Sequence, residues 1–339
     1  MKKLIYIIIV LAIAFTACEK TLDFPFEYKK PKLVLNCVLS SNKEIEFHVS
    51  RSMHILDSKE IVMISDADVI IFEDDKPLQV VPISIDNGYY KVEYTPKAGH
   101  TYKFQISKDG FETIEAEAKM ANPTKINSYM VKIKGSENDN MILYGGTFDV
   151  SLNFNDDSEQ ENYYVVYLTS DLPAEIMDYI ETYDMYNDYY RLFLDCNDLS
   201  VNTGNSGDML YLSDEIINGG NYTIKLVAYD YRDIYGPFYE YPFPDENEDP
   251  EEGEGSGIEE LPFYNGFDYK LVVHVATINK DYYQYLKSFD MYNENDGNPF
   301  AEPTLVKTNI KNGLGILGAS SEVTDTVTIR VNNPYIEEN

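Results

Sequence analysis

Tryptophan is absent from this 339-residue sequence, histidine occurs four times and cysteine three times. Without tryptophan the largest amphipathic ring is missing, which weakens the case for a dedicated carbohydrate platform. The histidines are His48, His54, His100 and His274. Only His48 and His54 lie near one another in sequence, with no H-E-x-x-H or paired-cysteine framework, so no metal site is expected. Beyond Cys18, the remaining cysteines are Cys37 and Cys196. In an oxidising compartment they could pair, or they could be two buried thiols too far apart to meet; spacing alone leaves both open. Positive charge is scarce as well: 27 Lys and Arg face 58 Asp and Glu, a net charge of −31. Such a balance repels a phosphate backbone, so no nucleic acid is expected as a partner. Long apolar runs are also lacking. The longest, Leu4 to Ala17, has fourteen residues, whereas a membrane-spanning helix needs about 20.

That run follows Lys2 and Lys3 and ends in Phe15-Thr16-Ala17-Cys18. A charged start, a short apolar stretch and a small residue before cysteine read as a signal peptide over residues 1–17. The ending resembles the lipobox of bacterial lipoproteins, although Phe15 stands where an aliphatic residue is usual. The resemblance implies that the Cys18 thiol is diacylated, that the chain is cut before it, and that the new N-terminus takes another acyl chain such as palmitate. Each buried CH₂ contributes about 0.8 kcal/mol, so two or three chains hold a protein on a bilayer where one binds reversibly.

With 44% hydrophobic residues and 30 tyrosines, the rest of the chain can build a sizeable core, and its length suits two domains. Residues 18–31 carry two prolines and mixed charge and read as a tether. From Lys32 the pattern turns to short strands. LVLNCVL (33–39) and EIEFHVS (44–50) are followed by ADVIIFED (67–74), GYYKVEY (88–94), HTYKFQIS (100–107) and FETIEAEA (111–118). Ile45, Phe47 and Val49 alternate with Glu46 and His48, the period of a half-buried strand. Asp109-Gly110 supplies hairpin chemistry. Residues 32–122 are therefore expected to form an Ig-like or prealbumin-like β-sandwich.

Pro123 opens a second β-rich domain, residues 123–339, with strands at 126–134, 146–154, 162–170, 221–230 and 268–277. One or two amphipathic helices interrupt it. Ile176, Tyr179, Ile180, Tyr183 and Tyr190 recur at helical spacing, as do Tyr282, Tyr285, Leu286 and Phe289 behind Asn279 at an N-cap. Both aromatic stripes are expected to face the core. The acidic segment 245–260 holds nine acids, three glycines and no basic residue, and reads as a solvated loop. It lacks the D-x-D-x-D-G spacing of a calcium loop, and Asn293 to Gly297 comes no closer than a partial match.

The order of pieces resembles an uncharacterised lipoprotein family of the Bacteroidota, the domain of unknown function DUF4249. The likeness rests on the acylated cysteine, the tether, and Pro31 to Asn36. It continues through Gly88-Tyr89-Tyr90 and Gly99-His100-Thr101-Tyr102 to the Pro123 junction. Towards the C-terminus it rests on Asp281-Tyr282-Tyr283, Asn298-Pro299-Phe300, Pro303, Thr308-Asn309-Ile310 and Asn312-Gly313-Leu314-Gly315-Ile316. Phe15 and the acidic insertion depart from the pattern. Membership implies an outer-membrane address, often beside TonB-dependent transporters, and implies no catalytic residue. Asn298-Pro299 and Asn312-Gly313 are turn formers, and Gly315 and Gly318 suit close backbone approach beside a strand.

Chemistry is sparse. Gly204-Asn205-Ser206-Gly207 is not a G-x-S-x-G elbow, and no phosphate-binding or dinucleotide fingerprint occurs. Cys37 lies in an apolar strand where a thiol would be inert. No catalytic residue, cofactor or metal ligand is therefore expected. The expected role is a non-catalytic envelope protein that binds a partner, peptide or glycan, beside an outer-membrane transporter. The alternatives are a hydrolase built on a carboxylate pair, or an envelope scaffold.

Overall fold

The computed structural model describes residues 30–54, 60–79, 82–86, 88–133, 146–173, 191–215, 217, 219–230, 267–295, 301–302 and 304–331. Cys18, most of the tether, the first amphipathic stripe, the acidic segment 245–260, Asn298 to Phe300 and Pro303 lie outside these residues. The described chain is mainly β, as expected. Its first eight strands are β1 (Leu33–Ser40), β2 (Ile45–Arg51), β3 (Asp68–Glu73), β4 (Lys76–Pro77), β5 (Ile83–Asp86), β6 (Tyr89–Val92), β7 (Thr101–Ser107) and β8 (Ile114–Lys119).

Alternation decides the packing of these strands. In β1, Leu33, Leu35, Cys37 and Leu39 point inward; in β2, Ile45, Phe47 and Val49 do. They meet Tyr102, Phe104 and Ile106 of β7 and Ile114, Ala116 and Ala118 of β8 in one core. One sheet runs β1-β2-β6-β5 and the other β4-β3-β7-β8. That is the Greek-key order of an Ig-like sandwich, in which the first, second, sixth and fifth strands face the other four. The Glu73 to Lys76 hairpin turns through Asp74 and Asp75, both at positive φ, the geometry that matches strand twist. Two expected strands are shorter: β6 ends at Val92, and residues 111–113 precede β8 outside the strand.

Tyr102 is the second residue of β7, and its ring is fully buried. Its hydroxyl accepts the Lys97 amide at 2.8 Å and donates to Glu73 at 2.7 Å. A tyrosine bonded back to the chain a few residues upstream, at the entry to this strand, is the tyrosine corner of Ig-like domains. Tyr102→Phe leaves the Lys97 amide and Glu73 short of a partner. It should cost about 1–3 kcal/mol in denaturant unfolding with an unchanged denaturant slope.

The second half contains β9 (Ile126–Ile133), β10 (Gly146–Asn155), β11 (Tyr163–Asp171), β12 (Phe193–Asp195), β13 (Val201–Thr203), β14 (Leu210–Ser213), β15 (Asn221–Asp230), β16 (Phe267–Ile278), helix α1 (Lys280–Asn295) and β17 (Leu314–Val331). The sheet β12-β15-β10-β9 packs on β13-β14-β11-β16-β17. Phe148, Val150, Leu152 and Phe154 from one sheet meet Tyr164, Val166, Leu168, Leu271, Val273 and Val275 from the other. Strands β12 to β14 are too short for a periodic signal, and the sequence left them unmarked.

The strand β17 joins the halves. Residues 314–320 run parallel to β1, and residues 320–331 run antiparallel to β16. Its front half gives Leu317 and Ala319 to the first core, and its rear half gives Val323, Val327 and Ile329 to the second. A division at residue 122 separates two runs of strands, and the C-terminal strand crosses back over it to pair with β1. Residues 304–313 return the chain to the sheet, as the turn formers imply. The Asn309 amide accepts from the Leu317 N–H at 3.0 Å and donates to the Leu317 carbonyl at 2.9 Å, standing in for a strand partner.

Candidate functional site

Helix α1 lies on the outer face of the second sandwich. Asn279 precedes it and its carbonyl accepts the Tyr283 amide, but its side chain accepts the Ala319 amide of β17 at 2.9 Å instead of capping the helix. Leu286 is buried against Val165, Tyr211, Ala276 and Ile278, with Tyr282 and Tyr283 beside it. Gly318 leaves room for Tyr282, since a Cβ there would lie 2.9 Å from the ring. The aromatic stripe is thus not uniformly core-facing. Tyr285 and Phe289, stacked at 5.8 Å, line a groove, and Phe289 stays 40% exposed. A helix on the outside of a sheet buries only a narrow stripe, so one row of its rings is left to another surface.

The groove has a volume of about 550 Å³ and runs between the two sandwiches, within the range of small-molecule and peptide-side-chain sites. One wall is the outer face of β1, β2 and β6, carrying Asn36, Val38, Glu46, His48 and Tyr89. Helix α1 makes the other wall with Tyr282, Tyr285, Phe289, Asp290 and Asn293. The β13–β14 hairpin closes one end with Gly204, Asn205, Ser206 and Met209, while Ile316 of β17 contributes from below. His48 and Tyr89 touch ring to ring at 3.6 Å, and Tyr89 is 46% exposed. Burial pushes the His48 imidazole below its ordinary value, which leaves it neutral at pH 7. Asp290 ties hairpin to helix: Tyr211 donates to it at 2.6 Å and the Asn205 amide at 3.2 Å.

A second cluster braces that wall. On the outer face of β11, β16 and β17, the Tyr167 ring stacks on His274 at 4.2 Å, and the Arg191 guanidinium sits 4.2 Å from the Tyr167 centroid. His274 lies 2.9 Å from Thr169 and 3.1 Å from Glu322, and Tyr167 donates to Glu322. Burial raises the Glu322 carboxyl, but the hydrogen bonds from His274 and Tyr167 outweigh it and hold the group below its ordinary 4.5. Such a carboxylate stabilises the fold above its ordinary value, and the contribution is lost as pH falls through the lower folded value. Glu322→Gln should therefore melt below the native chain near neutral pH. The gap should narrow in thermal scans taken below pH 4.5.

The residues singled out from sequence fall as follows. Cys37 and Cys196 are both free, Cys37 buried in the first core with its thiol pushed far up by burial. His48 and His274 sit on outward strand faces; His100 lies 2.7 Å from Asp74 at the surface. Asn293 to Asn295 form the last turn of α1. Among the described residues no group of three or more His, Cys, Asp or Glu is placed to hold a metal ion. Nor, among them, is any helix long and apolar enough to cross a membrane. The groove is not legible in the sequence: Gly204 to Ser206 form its hairpin rim rather than a nucleophile motif, and Tyr89 reads as strand and family motif without pointing to a groove.

A family model described as a domain of unknown function (DUF4249) matches residues 19–326. The chain belongs to the DUF4249 family. The match takes in both sandwiches, α1 and all but the end of β17, so every groove residue of this DUF4249 protein lies inside it. Within the matched residues, Gly99 to Tyr102 enter the tyrosine corner, Asp281-Tyr282-Tyr283 lie in the first turn of α1, and Thr308 to Gly315 bring β17 to β1. None of the curated proteins matches the chain. One solved structure, "Biofilm associated protein - B domain", aligns over 86% of this chain and 85% of its own at 9% identity. Its TM-score is 0.22.

Proposed function

We propose that this DUF4249 protein is a lipid-anchored component of the cell envelope whose folded part is a non-catalytic binding module, working as an accessory beside an outer-membrane transporter of the TonB-dependent kind. The observation that carries the binding role is the groove. It is concave, walled by rings from both sandwiches, and edged by hydrogen-bonding groups of Asn36, Asn205 and Asn293. Rigid aromatic rings present large contact area at little entropic cost, which suits recognition of a peptide or glycan. The hydrolase alternative needs a carboxyl shielded from water opposite a second one. Glu46, on the groove wall, is instead 61% exposed and ion-paired with Lys91 at 3.5 Å.

The anchor rests on the lipobox. Cys18→Ser should abolish incorporation of labelled palmitate and move the protein from the membrane pellet to the soluble fraction. An unchanged distribution would overturn the address. For the binding role, the full chain in detergent is immobilised and exposed to extracts of its own membranes, beside a Phe289→Ala variant. Retention of a protein or glycan that the variant loses supports the role; equal retention by both chains, or none, refutes it.

A further inference from the structure

Resting on that reading, we propose that the groove takes an arginine or lysine side chain of a partner protein, held over its aromatic rings and facing Glu46 and Asp290. The charge pattern of the walls argues for it. Among the described residues, Glu46 and Asp290 are the only formally charged side chains lining the groove, one on each wall, and no lysine or arginine among them lines it. His48 adds no positive charge at neutral pH, because burial holds its imidazole below the ordinary value.

Neither carboxylate is used up. Lys91 sits nearer Glu44, at 2.9 Å, than Glu46, at 3.5 Å. Asp290 accepts hydrogen bonds from Tyr211 and Asn205 but has no ion pair among the described residues. A carboxylate offers about four acceptor positions, so Asp290 keeps capacity for a cation. The same groove is lined by Tyr89, Tyr285 and Phe289, and aromatic ring faces carry the negative quadrupole that attracts a guanidinium or ammonium. An anionic or purely polar occupant would meet two like charges and apolar rings. A cation with an aliphatic stem satisfies both features at once. The overall charge of −31 adds a field that draws basic partners towards the chain.

The test uses the full chain in detergent and blocked pentapeptides that differ only in a central Arg, Lys, Gln or Glu between leucines, titrated calorimetrically. The Arg and Lys peptides should bind about 10-fold more tightly than the Gln peptide, with the Glu peptide weakest. That gap should shrink with added salt, as for partly exposed charges. Glu46→Gln, an exposed change that leaves the core untouched, should remove much of the gap. Phe289→Ala should weaken the Arg peptide about 10-fold. Equal binding of Arg and Gln peptides, lost in Phe289→Ala, would overturn the cationic class and leave the binding module standing. If no peptide binds and membrane extracts also yield nothing, both readings fall.

Discussion

Removing residues 314–339 should leave a chain with no cooperative unfolding transition and a strong tendency to aggregate. The loss strikes both sandwiches at once. The first core loses Leu317 and Ala319, the second Val323, Val327 and Ile329. Deleting one buried leucine or isoleucine side chain costs about 2–5 kcal/mol, against a total stability of about 5–15 kcal/mol for a folded domain. Several such losses exceed what a domain holds in reserve. The backbone consequence is as severe. Strand β16, apolar along its inner face from Phe267 to Ile278, would lose its neighbour and become an open sheet edge. Exposed edges of this length and character pair with other chains. Circular dichroism in the near ultraviolet and light scattering on heating would register the change. A truncated chain that stays monomeric and unfolds in one sharp transition would show that β17 is an appendage.

Gly315→Ala should be the most damaging single substitution, at about 3 kcal/mol or more. Two penalties coincide at this position. Its φ of 96° belongs to a region that side chains with a Cβ rarely adopt. A Cβ built there would also lie 2.0 Å from the carbonyl oxygen of Leu35, a backbone atom held in the β1 ladder. A flexible side chain could swing aside, whereas a ladder carbonyl cannot move without breaking the parallel pairing. The effect should therefore appear as a lower unfolding midpoint and as faster hydrogen exchange across Leu33–Ser40. Gly110→Ala makes a useful contrast: it shares the positive φ, but nothing lies near the added carbon. It should cost only about 1 kcal/mol. Equal losses at the two glycines would mean that φ alone, and not the approach of β1 and β17, sets the cost.

Much of the strand content could be read along the chain, for reasons visible in particular residues. Ile45, Phe47 and Val49 face the core because a strand places alternate residues on opposite faces, and that alternation survives in the sequence. The Asp109-Gly110 turn was equally plain, since Gly110 adopts positive φ. Strand β17 was harder. Its run Leu314 to Val331 contains two glycines, two serines and Asp325, and it serves two cores in succession. No single period describes such a strand. Helix α1 was legible as a helix, but the split of its rings between core and groove was not. Tyr282 and Tyr285 look alike in sequence, and only the surface opposite each one distinguishes them.

Local order thus accounts for what composition and spacing could establish: an acidic, β-rich chain with alternating strands and an amphipathic helix. Alternation, turn chemistry and apolar run length involve residues a few positions apart, and such relations are written in the chain itself. The pairing of Val34 with Leu314, the choice of an Ig-like strand order, and the groove between β2, β6 and α1 join residues far apart along the chain. Those were decided only when two sheets had to bury their inner faces against partners. Which distant strand best covers which edge depends on the packing of the whole molecule.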